Sequence, residues 1–163
     1  MQTLPHEPLP SLDQIEDALL ALADKARSAP RPHDLDARDP RFIQRIAPLL
    51  GLFYDHYFRC ETEVEEEPPA GRFLAVANHN AMTGMPDMFC HMVAFWRYYS
   101  PERLAYGLMH DVPFRVPLAG AWLGASGAIA ATRDNARLAL ERDATVLVFP
   151  GGDLDACKPW SRR

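Results

Sequence analysis

The sequence predicts an α/β protein: a partial, mostly parallel sheet flanked by helices, with an N-terminal helical arm. Two short continuous apolar runs carry this expectation, Phe73-Leu74-Ala75-Val76-Ala77 and Ala144-Thr145-Val146-Leu147-Val148-Phe149. Strands buried on both faces of a parallel sheet read as unbroken apolar runs. Stretches of helical length lie between them, the alternation that builds parallel sheets. Charge supplies a third observation: residues 1–70 hold fourteen acids against seven bases, and residues 71–163 hold eight against ten. The acidity peaks in Glu61-Thr62-Glu63-Val64-Glu65-Glu66-Glu67, followed by Pro68-Pro69, which reads as a solvated connector. We therefore expect a helical arm and acidic linker over residues 1–70 and an α/β domain over residues 71–163.

In the arm, Ser11-Leu12-Asp13-Gln14 fits a capping box, with a hydroxyl at the N-cap and a Gln three residues on. Leu12, Ile15, Leu19, Leu22 and Ala26 follow at helical spacing. Residues 28–40 form a loop carrying Pro30, Pro32 and Pro40. A second periodic stretch spans residues 41–59. Phe42, Ile46, Leu49, Leu50, Phe53 and Tyr57 fall on one face, and Arg41, Gln44, Arg45, Asp55 and Arg59 fall elsewhere. Pro48 and Gly51 should kink or split it. Such a stretch either packs on the sheet of its own domain or lies at a lipid surface, aromatics toward lipid and arginines toward headgroups.

In the core, the run at 73–77 is a buried strand and residues 87–99 are an aromatic-rich helix. Residues 103–109 are a second strand, and residues 113–124 a short helix broken at Pro117. A third strand falls at 127–131 and a helix at 135–142, with Asp134 near its positive end. The strand at 144–149 is stopped by Pro150-Gly151-Gly152.

Composition narrows the function classes. The 163 residues, 48% apolar and 24% charged, suit one globular domain. A net charge of −5 lacks the basic footprint of a nucleic-acid binder. No run of about 18 apolar residues encodes a spanning helix, and no basic segment followed by an apolar run marks a secretory leader. Cys60, Cys90 and Cys157 are too few and too far apart for a disulfide framework or a structural zinc site, and suit reduced thiols in the cytoplasm.

Groups just past the C-terminal ends of parallel strands are the natural place for chemistry. Three polar clusters fall there: Asn78-His79-Asn80, Thr132-Arg133-Asp134-Asn135 and Gly151-Gly152-Asp153. The His79 imidazole suits proton transfer from a hydroxyl near neutral pH, with Asp87 the nearest acid to orient it; taken alone, a single His beside an Asp is more often a structural or surface histidine. Arg133 beside a helix start suits a phosphate or carboxylate, or an ordinary surface ion pair. Pro150-Gly151-Gly152 lets a ligand approach the backbone, or simply makes a tight turn.

Taken in order, Asn78-His79, then Gly127-Ala128-Ile129-Ala130-Ala131-Thr132-Arg133, then Phe149-Pro150-Gly151-Gly152 resemble the first three blocks of the glycerolipid acyltransferase superfamily, which includes the lysophospholipid acyltransferases. The resemblance covers roughly residues 70–163. Its last block, Phe149-Pro150-Gly151-Gly152-Asp153-Leu154-Asp155-Ala156-Cys157-Lys158-Pro159-Trp160, is more similar to the diacylglycerol acyltransferase branch. Gly151 stands where the phosphatidate-making branch has glutamate, and Asp155 where the diacylglycerol branch has an acid.

The resemblance implies that His79 is the general base and Asp87 its orienting acid. It implies that Arg133, the Gly151–Gly152 backbone, Asp153 and Asp155 line the acceptor site. Acyl-CoA or acyl-ACP would be a co-substrate, with no metal, no cofactor and no covalent intermediate. The acceptor would be a lipid hydroxyl on diacylglycerol, a lysophospholipid or a long-chain alcohol. Where the family's first block is His-x4-Asp, residue 84 here is glycine and the acid arrives at Asp87. The family continues well past its third block, whereas this sequence runs fourteen residues beyond Phe149. The expectation is therefore a C-terminally truncated domain acting at the inner face of a membrane, with contact through residues 41–59 and no nucleic-acid partner.

Two other classes compete. A truncated, inactive fragment would bind lipid or a membrane surface through residues 41–59. A metal-dependent hydrolase would draw on His79, Asp87, His91, His110 and Asp111, but its all-helical fold conflicts with the strands.

Overall fold

The computed structural model describes residues 2–79, 86–116 and 118–157, leaving out the side chain of Asp153. The expected break at Pro117, the loop at residues 80–85 and the Lys158-Pro159-Trp160 end of the last block lie outside the described residues.

The chain begins with β1 (Gln2–Thr3). Helix α1 (Leu12–Lys25) opens with the expected capping box. The Ser11 hydroxyl accepts the Gln14 N–H at 3.2 Å, and the Gln14 amide oxygen accepts the Ser11 N–H at 2.9 Å. Its buried face overlaps the expected stripe at Leu22, which packs on the core, but is centred on smaller residues. Ala18 and Ala21 are buried, while Leu12 and Leu19 are exposed. Ala21 packs in the core with Phe42, Ile43 and Ile46 of the next helix, and two ion pairs flank that contact, Asp17 with Arg45 at 2.8 Å and Lys25 with Asp39 at 2.9 Å.

Helix α2 (Pro40–Leu52) starts where Asp39 accepts the Arg41 and Phe42 N–H groups, with Pro40 preset in its first turn. It runs through Pro48 as one helix, so of the expected kink or split the split does not occur. Burial of Phe42, Ile43 and Ile46 outweighs the one hydrogen bond that Pro48 removes. The irregularity falls later, in a π-helical turn over Phe53–Tyr57, where the Phe58 N–H reaches the Phe53 carbonyl at 2.8 Å. That wider turn carries Tyr54 and Asp55 onto the buried face and leaves Phe53 and Tyr57 exposed. Asp55, expected among the outward polar residues, is therefore a core residue. The acidic stretch is not wholly a connector either, because β2 (Glu63–Val64) pairs antiparallel with β1.

Next come β3 (Leu74–Val76), α3 (Pro86–Tyr99), β4 (Ala105–Met109), α4 (Ala119–Ala125), β5 (Ala128–Ala130), α5 (Arg133–Glu141), β6 (Thr145–Val148) and α6 (Gly152–Ala156). Strands β3 to β6 form a four-stranded parallel sheet in the order β3-β6-β4-β5. This is the expected α/β class, and it removes the all-helical fold that the metal-hydrolase reading needs. The Thr132 hydroxyl caps α5 by accepting the Asn135 N–H at 3.1 Å, so the helix starts at Arg133, two residues before the predicted start. Helix α6 was not predicted.

Right-handed crossovers place α3 and α4 on one face and α5 on the other. On the first side, Ala21, Phe42, Ile43 and Ile46 of α1 and α2 pack with Trp96 of α3 and Ala125 of α4. On the second, Tyr106, Ile129 and Val146 of the sheet pack against Ala139 of α5 and Leu35. Leu74 and Val76 share that second face through their register with Val146 and Val148. Helix α5 covers β4 and β6 but stops short of β3, so Leu74 is 52% exposed and Val76 64%. The first strand is thus an edge strand with one bare face, not the fully buried strand its apolar run suggested. No helix among the described residues is long and apolar enough to cross a membrane.

Candidate active site

The C-terminal ends of β3 and β6 adjoin, the Ala77 N–H donating to the Val148 carbonyl at 3.0 Å. This carries His79, three residues past β3, beside the turn that follows β6. Pro86 and Asp87 open α3. His79 Nδ1 lies 2.7 Å from Asp87 Oδ2, and both side chains are only 11% exposed. The eight-residue separation therefore still closes into a His–Asp pair. With the Nδ1 proton donated to the carboxylate, Nε2 is left as the accepting nitrogen.

Two residues that sequence reasoning did not place in the site complete its walls. Phe149 packs against the His79 ring at 5.0 Å and against His91 edge-on at 6.0 Å. His91 Nδ1 donates to the Asp87 carbonyl at 2.7 Å, bracing the turn that holds the acid. The available signals were an aromatic directly before Pro150-Gly151-Gly152 and a histidine one helical turn after Asp87.

The Gly151–Gly152 turn begins two residues beyond Phe149. The Gly152 N–H donates to the Phe149 carbonyl at 3.0 Å, and Gly152 has φ +45°, a conformation that favours glycine. The Asp155 N–H returns to the Gly151 carbonyl at 3.2 Å, placing its side chain over Gly151. Asp153 lies in α6.

Arg133 sits elsewhere. It opens α5 at the end of β5, at the opposite edge of the sheet from β3. With Arg72, Ala136, Arg137 and Leu140 it lines a groove of about 510 Å³ along α5. No hydrogen bond or ion pair among the described residues joins it to His79 or Asp87.

A histidine–carboxylate pair at the C-terminal end of parallel strands is an arrangement that can move a proton at a carbonyl or hydroxyl. The family is given by comparison: the Acyltransferase family model matches residues 59–159, and the chain belongs to that family. The match begins before the span of the sequence resemblance and takes in all four strands of the parallel sheet. Comparison with curated proteins and with solved structures returns no match.

Proposed function

We propose that this acyltransferase moves a fatty acyl group from a thioester, acyl-CoA or acyl-ACP, to a lipid hydroxyl, with His79 as general base. The observation that carries the reading is the 2.7 Å contact between His79 Nδ1 and Asp87 Oδ2, which favours the tautomer that leaves Nε2 to accept a proton. The acceptor hydroxyl gives its proton to Nε2 as its oxygen attacks the thioester carbonyl. The tetrahedral oxyanion then collapses, the carbon–sulfur bond breaks, and the imidazolium returns the proton to the leaving thiolate. Asp87 steadies the imidazolium without taking the proton.

The Gly151–Gly152 backbone and Asp155 lie beside Phe149 and form the near wall for the acceptor. Asp153 belongs to the same turn. Arg133, at the opposite edge of the sheet, takes no part in this near wall. Glycine at 151 and the acid at 155 favour a diacylglycerol-like or other neutral acceptor over one bearing phosphate.

The substrate is greasy, so the enzyme works at the cytoplasmic surface of a membrane. The end of residues 41–59 suits that contact: Tyr57 is 73% exposed, and Phe53 and Phe58 stand beside it. Phe42, Ile43 and Ile46 earlier in that stretch face the protein's own core. The test is thiol release from an acyl-CoA in the presence of a lipid alcohol. The wild-type chain turns over and His79→Ala does not. Equal rates would end the general-base assignment, and vesicle binding without turnover in the wild type would favour a lipid-binding, inactive domain.

A further inference from the structure

The groove along α5 lies outside the His79–Asp87 pair and has a different chemistry. Arg72, Arg133 and Arg137 line it, with Ala136 and Leu140 as apolar floor and Glu141 as its one acid. Arg137 meets Glu141 at 3.3 Å, and the Arg72 guanidinium donates to the Leu140 carbonyl at 3.2 Å. The Arg133 side chain makes no hydrogen bond or ion pair among the described residues, and it is exposed. Three guanidiniums against one carboxylate make the groove cationic in a chain whose net charge is −5. Its volume of about 510 Å³ is that of a small-molecule site.

The groove meets β3 at its Arg72 end. Arg72 stands two residues before that strand, and its bond to Leu140 crosses to α5. The bare side chains of Leu74 and Val76 begin there and lead along β3 toward His79. The seven residues from Arg72 to His79 span at most about 25 Å of extended chain.

We propose that this groove holds the phosphorylated adenosine end of coenzyme A, with the pantetheine arm along Leu74 and Val76 and the thioester at His79. The assignment rests on the acyl-transfer reading and selects acyl-CoA over acyl-ACP as donor. A guanidinium grips phosphate oxygens in pairs and stacks on the flat face of a ring. Coenzyme A carries a diphosphate and a 3′-phosphate on one adenosine, so cations gathered in one nucleotide-sized groove match both its charge and its size. The apolar floor receives the ribose and base. A carrier protein presents its acids along a folded surface, which calls for cations spread over a face instead.

The experiment titrates adenosine 3′,5′-bisphosphate into the full chain by calorimetry. In parallel, thiol release is followed with acyl-CoA, acyl-pantetheine and acyl-ACP. The wild type binds one bisphosphate per chain, and Arg72→Gln/Arg137→Gln weakens it about tenfold or more. Arg133→Gln repeats the loss if the double variant does not fold. Arg27→Gln, at an exposed arginine just past α1, leaves binding unchanged and controls for overall charge. In kinetics the double variant raises KM for acyl-CoA without lowering kcat, and its KM for acyl-pantetheine, which lacks the phosphates, stays at the wild-type value. No bisphosphate binding by the wild type, equal binding by the double variant, or turnover of acyl-ACP with none of acyl-CoA would overturn the proposal. Bisphosphate binding lost in the double variant, with no turnover of any thioester, would support the groove and end the acyl-transfer reading, so the two fail separately.

Discussion

The Asp155 carboxylate occupies the space that a side chain on Gly151 would need, since a Cβ built there collides with the carboxylate carbon and both its oxygens. The glycine and the acid are thus one arrangement. A side chain at 151 and the present position of Asp155 exclude each other.

This coupling sets the first prediction. Gly151→Ala displaces Asp155 and lowers both the melting temperature and turnover. Asp155→Ala alone removes the carboxylate but keeps the turn. The double variant Gly151→Ala/Asp155→Ala recovers most of the stability that Gly151→Ala loses. A double-mutant cycle on thermal melts reads a coupling of about 0.5–3 kcal/mol, and strict additivity would show that the two positions do not compete.

The His79–Asp87 pair gives the second. Asp87→Asn keeps the shape of the contact but removes the charge that steadies the imidazolium. The expected effect is a fall in kcat with KM nearly unchanged, smaller than the roughly 10²–10⁴-fold loss expected for His79→Ala. Steady-state thiol release measures both, and a change confined to KM would move Asp87 from orienting the base to binding substrate.

The third concerns the buried pair between α2 and α3. Arg97 donates to both Asp55 oxygens, at 2.8 and 2.6 Å, and the Asp55 side chain is 1% exposed. Burial pushes the Asp55 carboxyl up, but the Arg97 guanidinium overrules it and holds the carboxyl below its ordinary value of 3.8. The folded state therefore prefers the charged form. This contribution is present in full above the ordinary value and is lost as pH falls through the lowered one. Arg97→Met leaves the buried carboxylate only the Glu7 N–H and the nearby His6, and costs about 3 kcal/mol at neutral pH. Urea titrations from about pH 5 downward show a shallower acid loss in that variant than in the wild type.

The fourth tests the membrane contact. Phe53→Ser and Tyr57→Ser change exposed rings, so the melting temperature moves little, within about 0.5 kcal/mol of stability. Co-sedimentation with phosphatidylcholine vesicles falls several-fold in the double variant. Unchanged sedimentation would place the contact on another surface.

The parallel sheet was legible because apolar runs and their helical spacers report burial on two faces. The same logic failed at Leu74 and Val76, since a run of apolar residues does not say whether a helix reaches the outermost strand. Capping boxes are local chemistry, so Ser11–Gln14 was read correctly. The helix faces were not local: packing of Ala21 on Phe42, Ile43 and Ile46 turned α1, and the π-helical turn set the side on which Asp55 lies. His79 and Asp87 could be nominated from position after a strand and at a helix start. Their contact was a matter of how the chain closes between them, and no spacing rule supplies it. Phe149 went unassigned because an aromatic at a strand end packs in a core as readily as it walls a site.

Gly51 gives the buried ion pair a further consequence. A Cβ there would sit 2.9 Å from an Arg97 nitrogen, so the bare backbone is what admits the guanidinium to Asp55. Glu7 adds a second acid to the same nitrogen at 3.3 Å. A chain trimmed to the segment the family model matches, residues 59–159, would keep Arg97 and discard Gly51, Asp55 and Glu7 together. The helix that carries Asp87 would then hold a cation stripped of both its acids. The portable unit of this acyltransferase is accordingly wider than its family signature, and its charge balance is settled by residues the signature never touches.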